Sequence, residues 1–243
     1  TLRKNGAYET VVVCFEEYTD EGEPLNKPKP SEEMFEGMMD GRIPIEGRNL
    51  LVTFDDGFKS NLKISKEVLE PLNIKAIFFV CSNFITQLTY ESSKLFLKNH
   101  IQPCDGSQCI PDHWTNLSPD DIEYLIRHGH TIGAHTANHK RLTELSPSEA
   151  YYEMSNARQT LNSLFSLDVK HFAFPFGDSS SYSPVVAQMA QQLFPYIHTG
   201  FRGNNAIAPN PSLIFRDSAS YQHSSLKYGL FPNHHLAAFL EGA

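Results

Sequence analysis

The chain has 243 residues, 40% hydrophobic and 20% charged, with 14 Gly and 15 Pro, which fits one barrel-sized domain and excludes disordered, collagen-like and coiled-coil classes. With 28 acidic against 20 basic residues its formal charge is −8, so no broad positive field exists to hold nucleic acid or an anionic lipid surface. The longest apolar runs, such as 76–81, fall far short of the ~18 residues that a membrane span needs.

In chain order, short runs rich in β-branched and aromatic residues recur at 11–15, 50–54, 75–81, 131–134, 171–175, 196–199 and 213–216. Such runs read as buried parallel strands. Between them, Leu62, Ile64, Val68 and Leu69 keep helical spacing over 61–70. Ser118-Pro119-Asp120-Asp121 opens a helix that runs to His128-Gly129, Ser146-Pro147-Ser148-Glu149 opens one reaching about 165, and Ser183-Pro184 opens one ending near 193. In each, a Ser cap satisfies exposed amides and a Pro at the first position has no N–H to lose. Strand alternating with helix predicts an α/β class, either a closed barrel or an open doubly wound sheet, in a single domain over 1–243. The polar stretch at about 90–115 shows no periodicity and predicts an insertion over one end of the sheet. Within it, Phe96 and Trp114 are candidates for a partner surface.

Four cysteines do not make a disulfide scaffold in a chain of this length. Cys14 and Cys81 sit in apolar runs and read as core residues, which favours a reducing, cytoplasmic location. A periplasmic or extracellular one stays open if a leader has been removed. Cys104 and Cys109 bracket a turn-like segment that could close a small disulfide, and with His113 they imitate three zinc ligands without a fourth.

Three segments carry chemistry. Leu50 to Gly57 ends an apolar strand in Asp55-Asp56. Side chains alternate along a strand, so one carboxylate can bind a metal while its neighbour faces a substrate. Gly133 to His139 places His135 and His139 four residues apart just past another strand. On a helical turn that spacing presents both imidazoles on one face. Together Asp56, His135 and His139 supply two nitrogens and one oxygen, the composition of a hydrolytic metal site. Phe172 to Asp178 ends a strand in Pro and Gly, and the freed amide of Phe176 is a candidate oxyanion donor. His130, just upstream of its strand, reads as structural.

In this order the segments resemble the polysaccharide deacetylases of carbohydrate esterase family 4, through T-F-D-D-G at 53–57, H-T-x-x-H at 135–139 and F-A-F-P-F-G at 172–177. The similarity runs from about 11 to 216. It implies a distorted (β/α)7 barrel and one divalent metal on Asp56, His135 and His139, foremost Zn²⁺ with Co²⁺ or Ni²⁺ as alternatives. It also implies Asp55 as general base, an acetylated sugar as substrate, and deacetylation as the reaction.

Two departures stand out. Many family members carry an Arg that orients the base where this chain has Ala173, so Arg216 at the end of the last strand is the expected substitute. In the branch with an N-terminal strand, that strand usually ends in Tyr-His, and here Glu16 falls at the His position as candidate general acid. His198 and His223 are alternative proton donors. The same residues leave other readings open: removal of an O-acetyl, formyl or cyclic-amide acyl group on the same barrel, or glycan binding by an impaired site.

Overall fold

The computed structural model describes residues 10–16, 49–71, 73–103, 110–201, 205 and 210–219, with only the backbone described at 10–16, 49–50, 68 and 217–219. Its elements in chain order are β1 (Thr10–Glu16), β2 (Asn49–Phe54), α1 (Lys59–Ile64), β3 (Ala76–Val80), α2 (Ser82–Ile85), α3 (Tyr90–Phe96), α4 (Pro119–Arg127), β4 (Thr131–Ala134), α5 (Pro147–Phe165), β5 (His171–Ala173), α6 (Pro184–Leu193), β6 (Tyr196–His198) and β7 (Asp217–Ala219). The three Ser-Pro signals each start a helix. Ser118 and Ser146 form reciprocal capping boxes with Asp121 and Glu149, and the Ser183 hydroxyl accepts from the Val186 amide.

The strands form one sheet in the order β6-β5-β4-β3-β2-β1-β7. From β2 to β6 all pairs are parallel. Residues 211–214 then run beside β6, with Ile197 N–H donating to the Pro211 carbonyl at 2.7 Å and Ile214 N–H to the Ile197 carbonyl at 2.8 Å. The same segment continues into β7, which pairs with β1, and so joins the two ends of the sheet. The result is the distorted (β/α) barrel expected from the motifs.

One strand runs the other way. β1 is antiparallel to both β2 and β7, with Thr10 opposite Phe54 and Glu16 opposite Asn49. An apolar run paired on both edges reads the same in either direction, so its composition does not encode its sense. The last strand also falls later than 213–216, because those residues line β6 before the chain crosses to β1.

The core is built from β2, β3, β4 and β5 against the helices, around Phe54, Phe78, Ile132, Phe172 and Phe194, with Met154, Ala157 and Leu161 from α5. Phe54 and Phe78 stack at 4.9 Å between ring centroids. A second cluster gathers Phe58, Cys81, Phe84, Phe96 and Leu97, with Trp114 packed against it. The supposedly aperiodic insertion therefore holds a helix, α3, capped by Thr89 and Ser92 and continued by a wider turn through Leu97–Ile101. Its cap uses Ser where the usual signature has Glu or Gln, which hid it in the sequence. Phe96 is buried inward rather than offered to a partner.

Candidate active site and metal centre

The parallel strands all point their C-terminal ends to one rim, and the three chemical segments leave the sheet there. After Phe54, Asp55 is buried, whereas Asp56 turns into a positive-φ conformation at 73°. That reversal sends the two carboxylates to different partners. Asp56 Oδ1 lies 3.4 Å from His135 Nε2 and 3.2 Å from His139 Nε2. The three donor atoms fall within 4.8 Å of one another.

Each imidazole is oriented from behind. His135 Nδ1 donates to the Ala173 carbonyl at 2.8 Å, and His139 Nδ1 to the His100 carbonyl at 3.3 Å. A carbonyl only accepts, so Nδ1 carries the hydrogen and the Nε2 lone pair faces Asp56. Burial opposes the charge on Asp56, yet the adjoining imidazoles hold its carboxyl below the usual carboxylate range. Burial likewise opposes protonation of His139, and the Asp56 carboxylate overcomes it and raises His139. The carboxylate thus draws positive charge to the point where both rings converge. Buried, inward-facing N and O donors of this kind fit a divalent cation.

Asp55 faces a different charge. Arg216 donates from both terminal nitrogens to its two oxygens, at 2.7 and 2.9 Å, and from Nε to the Thr199 carbonyl at 2.9 Å. The guanidinium is only 2% exposed and lies over the Phe79 ring, 5.1 Å from its centroid. Gly133 makes room for that ring, since a Cβ there would stand 2.4 Å from it. Ala173, where an Arg was expected, packs against Phe79 and Ile77. The space is filled by ring, and the cation arrives instead from the chain that closes the barrel.

The third segment forms the outer wall. Phe176 has φ of 67° and is 47% exposed. Its ring sits 4.7 Å from that of His139, and Arg141 covers it at 4.3 Å. Arg141 also grips Asp178 at 2.6 and 3.1 Å. Among the described residues the Phe176 amide donates to no backbone carbonyl. Behind the turn, Gly177 and Gly200 touch backbone to backbone, and a Cβ on Gly200 would come within 2.4 Å of the Gly177 carbonyl oxygen.

Of the six described non-glycine residues with positive φ, four, namely Asp56, Thr136, His139 and Phe176, lie on these segments. Such conformations cost on the order of 1–3 kcal/mol each and persist where their surroundings over-determine them. The concentration of strain marks this rim as the functional end.

A family model described as polysaccharide deacetylase matches residues 43–194, well over half of the chain. The chain belongs to the polysaccharide deacetylase family. A relative bearing the family's name, YxkH of Bacillus subtilis (strain 168), is 22% identical over 172 residues, which is 71% of this chain and 48% of that protein. The chain thus spans about half the length of that relative. Among solved structures, IcaB from Ammonifex degensii is similar with a TM-score of 0.63 and 18% identity, over 85% of this chain and 82% of that one. A de-N-acetylase from Aggregatibacter actinomycetemcomitans gives 0.61 and 12%, over 83% and 82%. The Streptococcus pyogenes deacetylase PplD, solved with acetate, gives 0.58 and 19%, over 76% and 71%. At these identities the likeness is one of fold.

Within this polysaccharide deacetylase fold, the structure brings Asp55, Asp56, His135, His139, Phe176 and Arg216 to one rim. It does not bring Glu16 there. Since β1 is antiparallel, its C-terminal residue pairs with Asn49, at the opposite end of β2 from Asp55. The side chains of Glu16 and Cys14 are not among those described, and His223, Cys104 and Cys109 lie outside the described residues. His113 is exposed. His198 is buried inside the barrel, its Nε2 3.0 Å from His171 Nδ1. No helix of the described residues is long and apolar enough to cross a membrane.

Two residues escaped the sequence reading. Arg141 is a loop cation with no periodic context. Glu153 was more legible, because it falls on the buried stripe of α5 with Ala150, Met154, Ala157 and Leu161. A carboxylate on an apolar helix face needs partners.

Proposed function

We propose that this chain removes N-acetyl groups from an amino sugar in a glycan or glycan precursor, with a divalent cation, Zn²⁺ first and Co²⁺ or Ni²⁺ as alternatives, held by Asp56, His135 and His139. The observation that carries the reading is the convergence of both Nε2 atoms on Asp56 Oδ1 next to a second, Arg-held carboxylate. When bound, such a cation supplies Lewis-acid polarisation of the acetyl carbonyl and of water. Asp55 takes the proton of the attacking water. Each of its oxygens spends one lone pair on Arg216 and keeps another for that proton. The Phe176 amide donates to the developing oxyanion, an interaction worth about 3–4 kcal/mol in comparable sites. With Glu16 at the far end of β2, Asp55 also returns the proton to the departing amine.

Arg216 answers the main argument for an impaired, merely glycan-binding site, because the base has its cation despite Ala173. The test is acetate release from N-acetylglucosamine oligosaccharides before and after chelation. Release that disappears with chelator and returns with Zn²⁺ is expected. Release from O-acetyl esters alone, or of formate alone, would move the chain to another acyl group on the same barrel.

A further inference from the structure

The loop from Thr136 to Asn138 is held at every turn. Ser82 N–H donates to the Thr136 carbonyl at 3.3 Å and Asn83 N–H to the Ala137 carbonyl at 3.1 Å, both from the start of α2. From the other side Glu153 supplies three acceptors. Its main-chain carbonyl takes the Ala137 amide at 3.0 Å. Its carboxylate takes the Asn138 amide at 2.8 Å on Oε2 and the Asn138 side-chain Nδ2 at 2.7 Å on Oε1. Asn83 Nδ2 completes the set by donating to Asn138 Oδ1 at 2.9 Å.

Glu153 is 7% exposed, and among the described residues no Lys or Arg lies within ion-pairing distance of it. A buried carboxylate without a cationic partner is expensive. Helix packing does not require it, since its stripe neighbours are apolar. What it does hold is a loop that strains two L-residues into positive φ, the β-branched Thr136 at 64° and His139 at 54°. Both flank the amides that Glu153 binds. Bonding to partners behind the ligands is how metal sites fix ligand orientation.

We propose that Glu153 is a positioning residue for the cation site, its carboxylate fixing Asn138 so that His139 Nε2 meets Asp56, and its negative charge helping to balance the bound cation. This rests on the reading that Asp56, His135 and His139 bind the cation. Asn138 transmits the restraint. Glu153 touches neither substrate nor cation.

The test compares Glu153→Gln, Asn138→Ala and the double variant with the wild type and with Asp56→Ala, by competition for Zn²⁺ against a chromophoric chelator and by the visible absorption of Co²⁺-loaded protein. Gln keeps the shape of the side chain but turns an amide donor towards a donor. A 10–100-fold loss of Zn²⁺ affinity is expected in each single variant, no further loss in the double variant, and shifted Co²⁺ bands in all three. Thermal melting with chelator present separates this from simple destabilisation, which would lower the melting point without changing the Co²⁺ spectrum. Affinity within twofold of wild type with an unchanged spectrum in both single variants overturns the positioning role. Equal affinity in wild type and Asp56→Ala overturns the cation site itself and leaves Glu153 a loop support only.

Discussion

Arg216 and Asp55 meet through a two-pronged ion pair across 161 residues of sequence, with one guanidinium nitrogen on each carboxylate oxygen. The pair bridges β2 and the segment that closes the barrel, so it is a fold contact and, in the proposed reaction, a catalytic contact as well. Removing one member of a buried pair leaves the other uncompensated, at a cost of about 3–5 kcal/mol. Arg216→Met should therefore lower the urea midpoint strongly and reduce acetate release by at least ~10²-fold. Arg216→Lys keeps the charge but loses the planar fork, and should fall between the two. Wild-type turnover in Arg216→Lys would show that charge alone suffices.

The two adjacent carboxylates should separate under mutation, because they face different partners. Asp55→Asn is expected to cut turnover by ~10²–10⁴-fold, the usual range for a lost general base, with zinc content near wild type. Asp56→Asn should lose zinc and turnover together. Elemental analysis alongside the acetate assay reads both quantities, and loss of zinc in Asp55→Asn would mean that the two roles are exchanged.

What the sequence made legible was local. The Ser-Pro caps and the ends of the first parallel strands depend on neighbours a few residues apart and appear where periodicity places them, whereas His135 and His139 converge through a non-helical turn with Thr136 and His139 at positive φ and not through the expected helical spacing. The sense of β1 was not legible, since direction is set by a connection rather than by an apolar run. Arg216 is legible only indirectly, as the substitute for the Arg that Ala173 displaces. The structure adds why the replacement is needed: the Phe79 ring, accommodated by Gly133, packs against that side of the barrel. Glu153 was missed because Ser146-Pro147-Ser148-Glu149 defines the helix so well that a lone acid on its apolar face passes for tolerance.

Glu16 gives the sharpest contrast between motif and topology. Alignment of one short strand makes it a proton donor, and the antiparallel pairing with Asn49 puts its backbone at the wrong end of β2. Glu16→Gln should leave acetate release within about twofold of wild type, within the usual range for a change away from the chemistry. A fall of 10²-fold or more with zinc retained would instead return Glu16 to the site and require a different course for β1.

Stability should fall in acid because of buried histidines that are not among the proposed metal ligands. His130 is buried at the start of β4. Its Nδ1 accepts the Ala76 amide at 3.2 Å, so Nε2 carries the hydrogen and donates to Ser65 Oγ at 2.9 Å, and Ser65 in turn donates to Glu70. Burial first, and then Lys75, press its pKa down to about 4 from an ordinary 6.5. Burial similarly holds His171 at about 3, beside His198, which is also lowered by burial, by His171 and by Arg216. For a depressed histidine the unfolded chain binds the proton first, so between the two values the unfolded state holds more protons and stability rises with pH. The contribution is therefore complete above about 6.5 and is lost as pH falls towards 4 and 3. At about 1.4 kcal/mol per unit, His130 alone contributes at most ~3.5 kcal/mol. Urea midpoints should be flat from pH 7.5 to 8.5 and drop steadily from pH 6.5 to 4. His130→Asn, which keeps an acceptor near the Ala76 amide and cannot be protonated, should flatten part of that slope. An unchanged slope in His130→Asn would assign the acid sensitivity to the His171–His198 pair instead.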